Sequence, residues 1–194
     1  MKDKKELYED ALALARENVP PAKNHLDISL EKGKMLALEY GADVDLVLIG
    51  ILLMDIKLSE AMKLNKGPDH TKMSSEFVRE FLGDYDLTDE EKKVIINSIE
   101  AHHGGVSYES VEAEVCANAD CYRFIHPLGV FTYAGVLAKR DLSFVNQIKG
   151  LKAKLEEKYN ILSLPKAKEE LDEYYKIYSK QFDEILKMME EKVL

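Results

Sequence analysis

Four of the five histidines in this 194-residue chain, His25, His70, His102 and His103, are interleaved with Asp55 and Asp120. Imidazole and carboxylate are the donor types that hold divalent cations. Side chains converging from several helices are how an all-helical core builds such a centre. Asp55 lies in Leu52-Leu53-Met54-Asp55-Ile56-Lys57, on an otherwise apolar stretch, where a carboxylate is costly unless it is paired or bound to a cation. His102-His103 precede Gly104-Gly105. Adjacent helical residues diverge by about 100°, so both rings can serve one centre only if the helix ends there. Asp120 follows Ala117-Asn118-Ala119, small residues that allow helices to approach closely. Taken singly, a histidine at a helix end caps it or complements its dipole. Asp43 and Asp69 read as caps, Glu100 and Glu112 as solvated charges, and His126 before Pro127 as a turn residue. The set outweighs its members because several unusual placements occur together in one order.

The elements that must position these residues are helices. Residues 4–18 form a helical candidate ended by Pro20-Pro21, and about Leu26 to Tyr40 a second, stopped by Gly41. Asp43 caps Val44 to Lys57, apolar almost all round and so the expected central buried helix. After a Lys-containing connection with Gly67-Pro68 as its turn, the helical period resumes from Asp69 to Leu82 and stops at Gly83. Thr88-Asp89-Glu90-Glu91 is a capping box opening a helix through Ile95, Ile96 and Ile99 to His102. Glu109 to Ile125 is the next candidate, closed by Pro127. The fold class is all-α, with seven or more helices.

The last third is patterned differently. Ile148, Leu151, Leu155, Tyr159 and Leu162 recur at helical spacing, and so do Leu171, Tyr175, Tyr178, Phe182, Ile185 and Met189, with Ser163-Leu164-Pro165 between the two series. The division expected is residues 1–140 as a helical domain and 141–194 as a C-terminal helical hairpin. That hairpin either folds onto the body or forms the seam of a homodimer, and a seam this short fits both.

Composition sets the bounds. The chain is 46% apolar and 32% charged, the balance of an ordinary globular protein. Its formal net charge of -9 argues against binding a nucleic-acid duplex, which needs a basic face. The apolar run Val44 to Met54 is too short to span a bilayer, and Met1-Lys2-Asp3-Lys4-Lys5-Glu6 leads into no apolar signal core, so a cytoplasmic address and no membrane partner are expected. Cys116 and Cys121 are too few for a disulfide framework and read as reduced core residues.

The order of a first histidine, an apolar helix ending in a doublet, a further histidine, a histidine pair and a late Ala-Asp resembles the HD-domain superfamily of metal-dependent phosphohydrolases. The match runs from about His25 to Pro127. Leu52-Leu53-Met54-Asp55-Ile56-Lys57 stands where the family has a context like Leu-Leu-His-Asp-Ile-Gly-Lys, and Asp120 in Asn118-Ala119-Asp120 stands as the closing aspartate. The resemblance implies an HD-domain-like helical bundle. It also implies hydrolysis of a phosphate ester, such as a nucleotide, by a metal-activated water. His25, Asp55 and Asp120 fall to a first metal position, and Asp55 with His70, His102 and His103 to a second. The cofactor is a divalent metal, with Mn, Fe, Mg, Co, Ni and Zn all compatible. Asp55 and Lys57 are the catalytic candidates, and Lys57, Lys66, Lys72 and Arg123 are candidates for substrate phosphate.

Met54 departs from the pattern. It replaces the doublet histidine, and a thioether is a poor ligand for Mg²⁺, Mn²⁺ or Fe²⁺. Three outcomes stay open: one metal displaced toward the histidine-rich position, two metals with the first weakened, or a catalytically impaired module that binds a nucleotide or a protein partner.

Overall fold

The computed structural model describes residues 1–18 and 23–191; the helix break expected at Pro20-Pro21 lies outside them. The described residues form helices α1 (Lys4–Asn18), α2 (Lys23–Tyr40), α3 (Val44–Leu53), α4 (Leu58–Lys63), α5 (His70–Phe81), α6 (Asp89–Ala101), α7 (Val111–Ile125), α8 (Pro127–Ala138), α9 (Phe144–Ile161) and α10 (Pro165–Glu190). Short 3₁₀ turns lie at Gly67–Asp69 and Leu82–Asp84. There is no strand among the described residues, only an isolated bridge between Lys2 and Tyr85. Nor is any described helix long and apolar enough to cross a membrane.

α3 is the centre of the packing, touching α1, α2, α6 and α7. Its side chains Val47, Ile49, Leu52 and Leu53 are buried on every face, as its composition requires. Asp43 caps it by accepting from the amides of Asp45 (2.9 Å) and Leu46 (3.1 Å). The helix ends at Leu53 rather than Lys57. Beyond Met54 the chain tightens, with the Ile56 amide bonding back to Leu53 O at 3.2 Å, three residues rather than four. That turn swings Asp55 away from the helical path and toward the cleft between α5 and α6.

Two further starts differ from the sequence expectation for reasons visible in the caps. α5 begins at His70 because Gly67-Pro68-Asp69 forms a separate 3₁₀ turn. α7 begins at Val111 because the Ser110 hydroxyl accepts from the Ala113 amide at 3.2 Å. The Thr88 capping box is present in full, with Thr88 Oγ1 accepting from the Glu91 amide (3.2 Å) and Glu91 Oε2 accepting from the Thr88 amide (2.8 Å).

α9 runs along α7, and α10 folds back on α9. Leu151, Leu155, Leu171, Tyr178 and Phe182 join the same apolar core as α3. Asn118 of α7 fixes the connection between them, its Oδ1 accepting from the amides of both Ser163 and Leu164 at 3.1 Å.

Thr88→Ala removes one half of the capping box and is expected to cost about 1 kcal/mol. In a chain of this size that is a fall of about 2–4 °C in melting temperature, measured by circular dichroism. An unchanged melting temperature would show that the box contributes nothing to α6.

Candidate metal centre

Asp55, His70, His102 and His103 each offer one ligand atom, all within 4.8 Å of one another. His70 opens α5, and His102-His103 follow the last residue of α6 in a turn. Gly104 then takes a positive φ of 74°, a conformation favourable only to glycine, which stops the helix and lets both imidazoles face one point. The loop beyond is held by Asn97, which donates to Ser107 O (3.0 Å) and accepts from the Glu109 amide (2.8 Å).

Each ring is oriented through its Nδ1. His70 Nδ1 lies 2.7 Å from Gly67 O and His102 Nδ1 2.7 Å from Ile99 O; a carbonyl only accepts, so both Nδ1 atoms carry the proton. His103 Nδ1 lies 2.9 Å from Glu157 Oε1. The three Nε2 atoms are thereby turned inward, which is how outer hydrogen bonds prepare histidines for a metal. His70 Nε2 stands 3.3 Å and His102 Nε2 3.6 Å from Asp55 Oδ1, and His103 Nε2 stands 3.1 Å from His70 Nε2. His102 Nε2 is buried with no hydrogen-bond partner. Imidazole nitrogens gathered around a carboxylate oxygen, one of them orphaned, form a donor set that a divalent cation would satisfy. The residues present therefore fit a divalent metal at this position.

The other oxygen of Asp55 faces a different neighbourhood. Arg123 Nη1 donates to Asp55 Oδ2 at 2.6 Å and to Asp120 Oδ1 at 2.8 Å. Lys158 Nζ, fully buried, lies 2.6 Å from Asp120 Oδ2 and donates to His102 O at 3.2 Å. Burial alone would raise the Asp55 carboxyl, but the Arg123 charge and the His102 and His70 contacts outweigh it and hold it well below the usual range. Asp120 is held down against its burial in the same way by Lys158 and Arg123. Burial pushes His103 down to about 4, with the His102 and Lys158 charges reinforcing it against Glu157. His70 is raised, because Asp55 overcomes its burial.

His25 and Met54 sit apart from the cluster. His25 Nε2 bonds to Gly129 O at 2.9 Å, and its ring lies against Phe124. Burial and the Arg123 charge bring it down to about 4. Gly129 can approach this closely because it lacks a side chain: a Cβ there would stand 2.4 Å from Tyr122 O. Met54 is fully buried in the apolar core.

A cavity of about 630 Å³ opens onto the centre, with His25, Asp55, Asp120 and Arg123 in its wall beside the three clustered histidines. Lys57, Lys66 and Lys72 lie outside that wall. Lys57 pairs with Glu60 (2.7 Å) over the Phe77 ring, Lys66 is exposed, and Lys72 is exposed beside Glu76. The cations of the wall are Arg123, Arg140 and Lys154. Sequence reasoning missed Lys154, Glu157 and Lys158 of α9. Lys158 had a visible signal: it lies three residues after Leu155 and four before Leu162, a lysine on an apolar stripe.

Two solved structures superpose on nearly the whole chain. A predicted HD superfamily hydrolase from an uncultured Thermotogales bacterium matches with a TM-score of 0.63 and 16% identity over 93% of this chain and 92% of that one. A Lactobacillus plantarum protein matches with a TM-score of 0.63 and 16% identity over 97% and 95%. The chain has the HD-domain fold. Among its described residues, Asp55, His70, His102 and His103 form a cluster that could hold a metal ion. In sequence it is similar to ribonuclease Y of Fusobacterium nucleatum subsp. nucleatum, 32% identical over 108 residues, and of Clostridium novyi, 31% identical over 105; each match covers 54% of this chain. The chain spans about a fifth of the length of these curated relatives, 19% in each case. No protein-family model matches it.

Lys158→Met leaves Asp120 buried with one cation in place of two. It is expected to destabilise the fold by about 3–5 kcal/mol in chemical denaturation. Adding Asp120→Asn removes the stranded charge and should recover part of the loss. A single variant as stable as the parent would show that this ion pair is not what stabilises the junction of α7 and α9.

Proposed function

We propose that the chain is a metal-dependent hydrolase of a small phosphate ester, with nucleotides as the substrate class. The observation that carries this reading is the gathering of Asp55, His70, His102 and His103 ligand atoms within 4.8 Å of one another, with the His70 and His102 Nε2 atoms facing Asp55 Oδ1, each ring held through its Nδ1 and the His102 Nε2 left without a partner. A divalent metal held by Asp55, His70, His102 and His103 supplies a bound water of lowered pKa and a Lewis acid for a phosphoryl oxygen.

The rest of the site supports the reading through its own residues. Asp55 divides its two oxygens between the imidazole cluster and Arg123, so the carboxylate cannot rotate without breaking one side. Glu157 is brought down to about 2 against its burial by hydrogen bonds with His103 and Lys154, so it stays ionised and keeps His103 turned inward. Lys154 lies over the Phe124 ring on the cavity wall, within reach of an anion entering there. Arg140, exposed on the same wall, offers a second phosphate contact. Phe124 and Tyr133, edge to face with centroids 5.1 Å apart, give an apolar surface suited to a nucleobase. A cavity of this size and a net charge of -9 favour a small phosphoester over a long polyanion, even beside the likeness to ribonuclease Y.

A second reading, a catalytically impaired module that binds a nucleotide or a partner, draws on Met54, which puts a thioether into the core where the family pattern has a ligand. Turnover separates the two. Phosphoester panels with Mn²⁺, Fe²⁺, Mg²⁺, Co²⁺, Ni²⁺ or Zn²⁺ should show metal-dependent hydrolysis by the parent, reduced about 100-fold or more by His102→Ala and by Asp55→Asn. Retained metal with no turnover on any substrate would leave the binding module as the reading that stands.

A further inference from the structure

We propose that the position between Asp55 and Asp120 is filled by the protein's own cations and takes no metal, so any metal chemistry in this chain runs from a single ion on the histidine side. What that ion does rests on the hydrolase reading; the identity of the cations does not.

The argument begins with space. A divalent ion shared by Asp55 and Asp120 would sit about 2.0–2.2 Å from a carboxylate oxygen of each. Arg123 Nη1 already bridges Asp55 Oδ2 and Asp120 Oδ1 at 2.6 and 2.8 Å, and it occupies the same gap. The remaining oxygen of Asp120 belongs to Lys158 at 2.6 Å. Charge agrees with geometry. Two carboxylates face one guanidinium and one ammonium, all four buried, so the group is neutral as it stands. Inserting a divalent ion would add two uncompensated charges where water cannot screen them.

The flanking residues are arranged to match. His25 Nε2 is held by Gly129 O, and Met54 is packed in the core. Arg123 cannot move aside cheaply, because the same buried nitrogen bonds both carboxylates and leaving would strand the two charges together. Asp55 Oδ1 faces the imidazoles, so the histidine side keeps a full set of donors.

The consequence is a division of roles. A guanidinium neutralises carboxylates and can hold a phosphoryl oxygen, but it has no vacant coordination position and cannot acidify a bound water. Arg123 is therefore a positioning residue, fixing the Asp55 carboxylate for the histidine-side ion.

Mn²⁺ bound by the full-length chain, counted by elemental analysis after desalting, tests this directly. About one equivalent is expected in the parent, lost in His102→Ala. Met54→His combined with Arg123→Met should admit about one equivalent more, which survives addition of His102→Ala. Mn²⁺ should then raise that variant's melting temperature by about 5–10 °C at a hundredfold excess over its dissociation constant. Two equivalents in the parent, or a single one that survives His102→Ala, would overturn the proposal while leaving the hydrolase reading in place. So would a folded Met54→His/Arg123→Met variant that gains no metal. A parent that binds none leaves the carboxylate position as described and removes the hydrolase reading. If the combined variant does not fold, the parent's count and its response to His102→Ala decide.

Discussion

The structure depends on one buried contact, the Arg123 guanidinium shared between Asp55 and Asp120. Two carboxylates on different elements, one in the turn after α3 and one in the middle of α7, face each other inside an apolar core. Unpaired, either would carry a desolvation cost that no amount of neighbouring aliphatic packing offsets. Arg123, one turn beyond Asp120 on the same helix, joins them, and Lys158 of α9 completes the neutral set. The C-terminal hairpin thus enters the centre of the molecule with a charged side chain as well as its leucines.

That network also explains the orientation of the histidine cluster. With Oδ2 of Asp55 bound to Arg123, Oδ1 has one direction left, and it faces His70 and His102. The rings are in turn set by backbone carbonyls three residues earlier, Gly67 for His70 and Ile99 for His102, and by Glu157 of α9 for His103. α9 therefore acts on both halves of the site: Lys158 on Asp120 and Glu157 on His103, from adjacent positions on one helix.

Much of this was legible in the sequence. The all-helical architecture followed from long periodic segments with unambiguous caps, and the Asp43 and Thr88 caps are present as expected. The convergence of Asp55, His70, His102 and His103 could be anticipated because a carboxylate on an apolar helix and a histidine pair before two glycines are each hard to explain alone. What the sequence could not reveal is where a short turn aims its side chains. Lys57, Lys66 and Lys72 are close to Asp55 or His70 in the chain yet point to solvent, to Glu60 or to Glu76. Arg123 and Lys158 are far from Asp55 in sequence; each is visible as a cation on its helix, but which carboxylates it meets is set by the packing of α3, α7 and α9.

Filling a ligand position with covalently attached charge changes how folding and metal loading relate. Where two buried aspartates depend on an ion for neutrality, loss of the ion leaves like charges facing each other in low dielectric, and the fold weakens with it. Here Arg123 and Lys158 neutralise the aspartates from within the chain, and the carboxylate partners outweigh burial to push Arg123 still higher than its ordinary pKa. On the proposed assignment, stability at that position does not depend on metal supply, and a dependence on metal belongs to the three histidines and one oxygen of Asp55. The thioether of Met54 fits the same proposed arrangement: where no metal is to be ligated, an apolar side chain that fills core volume serves better than an imidazole left without a partner.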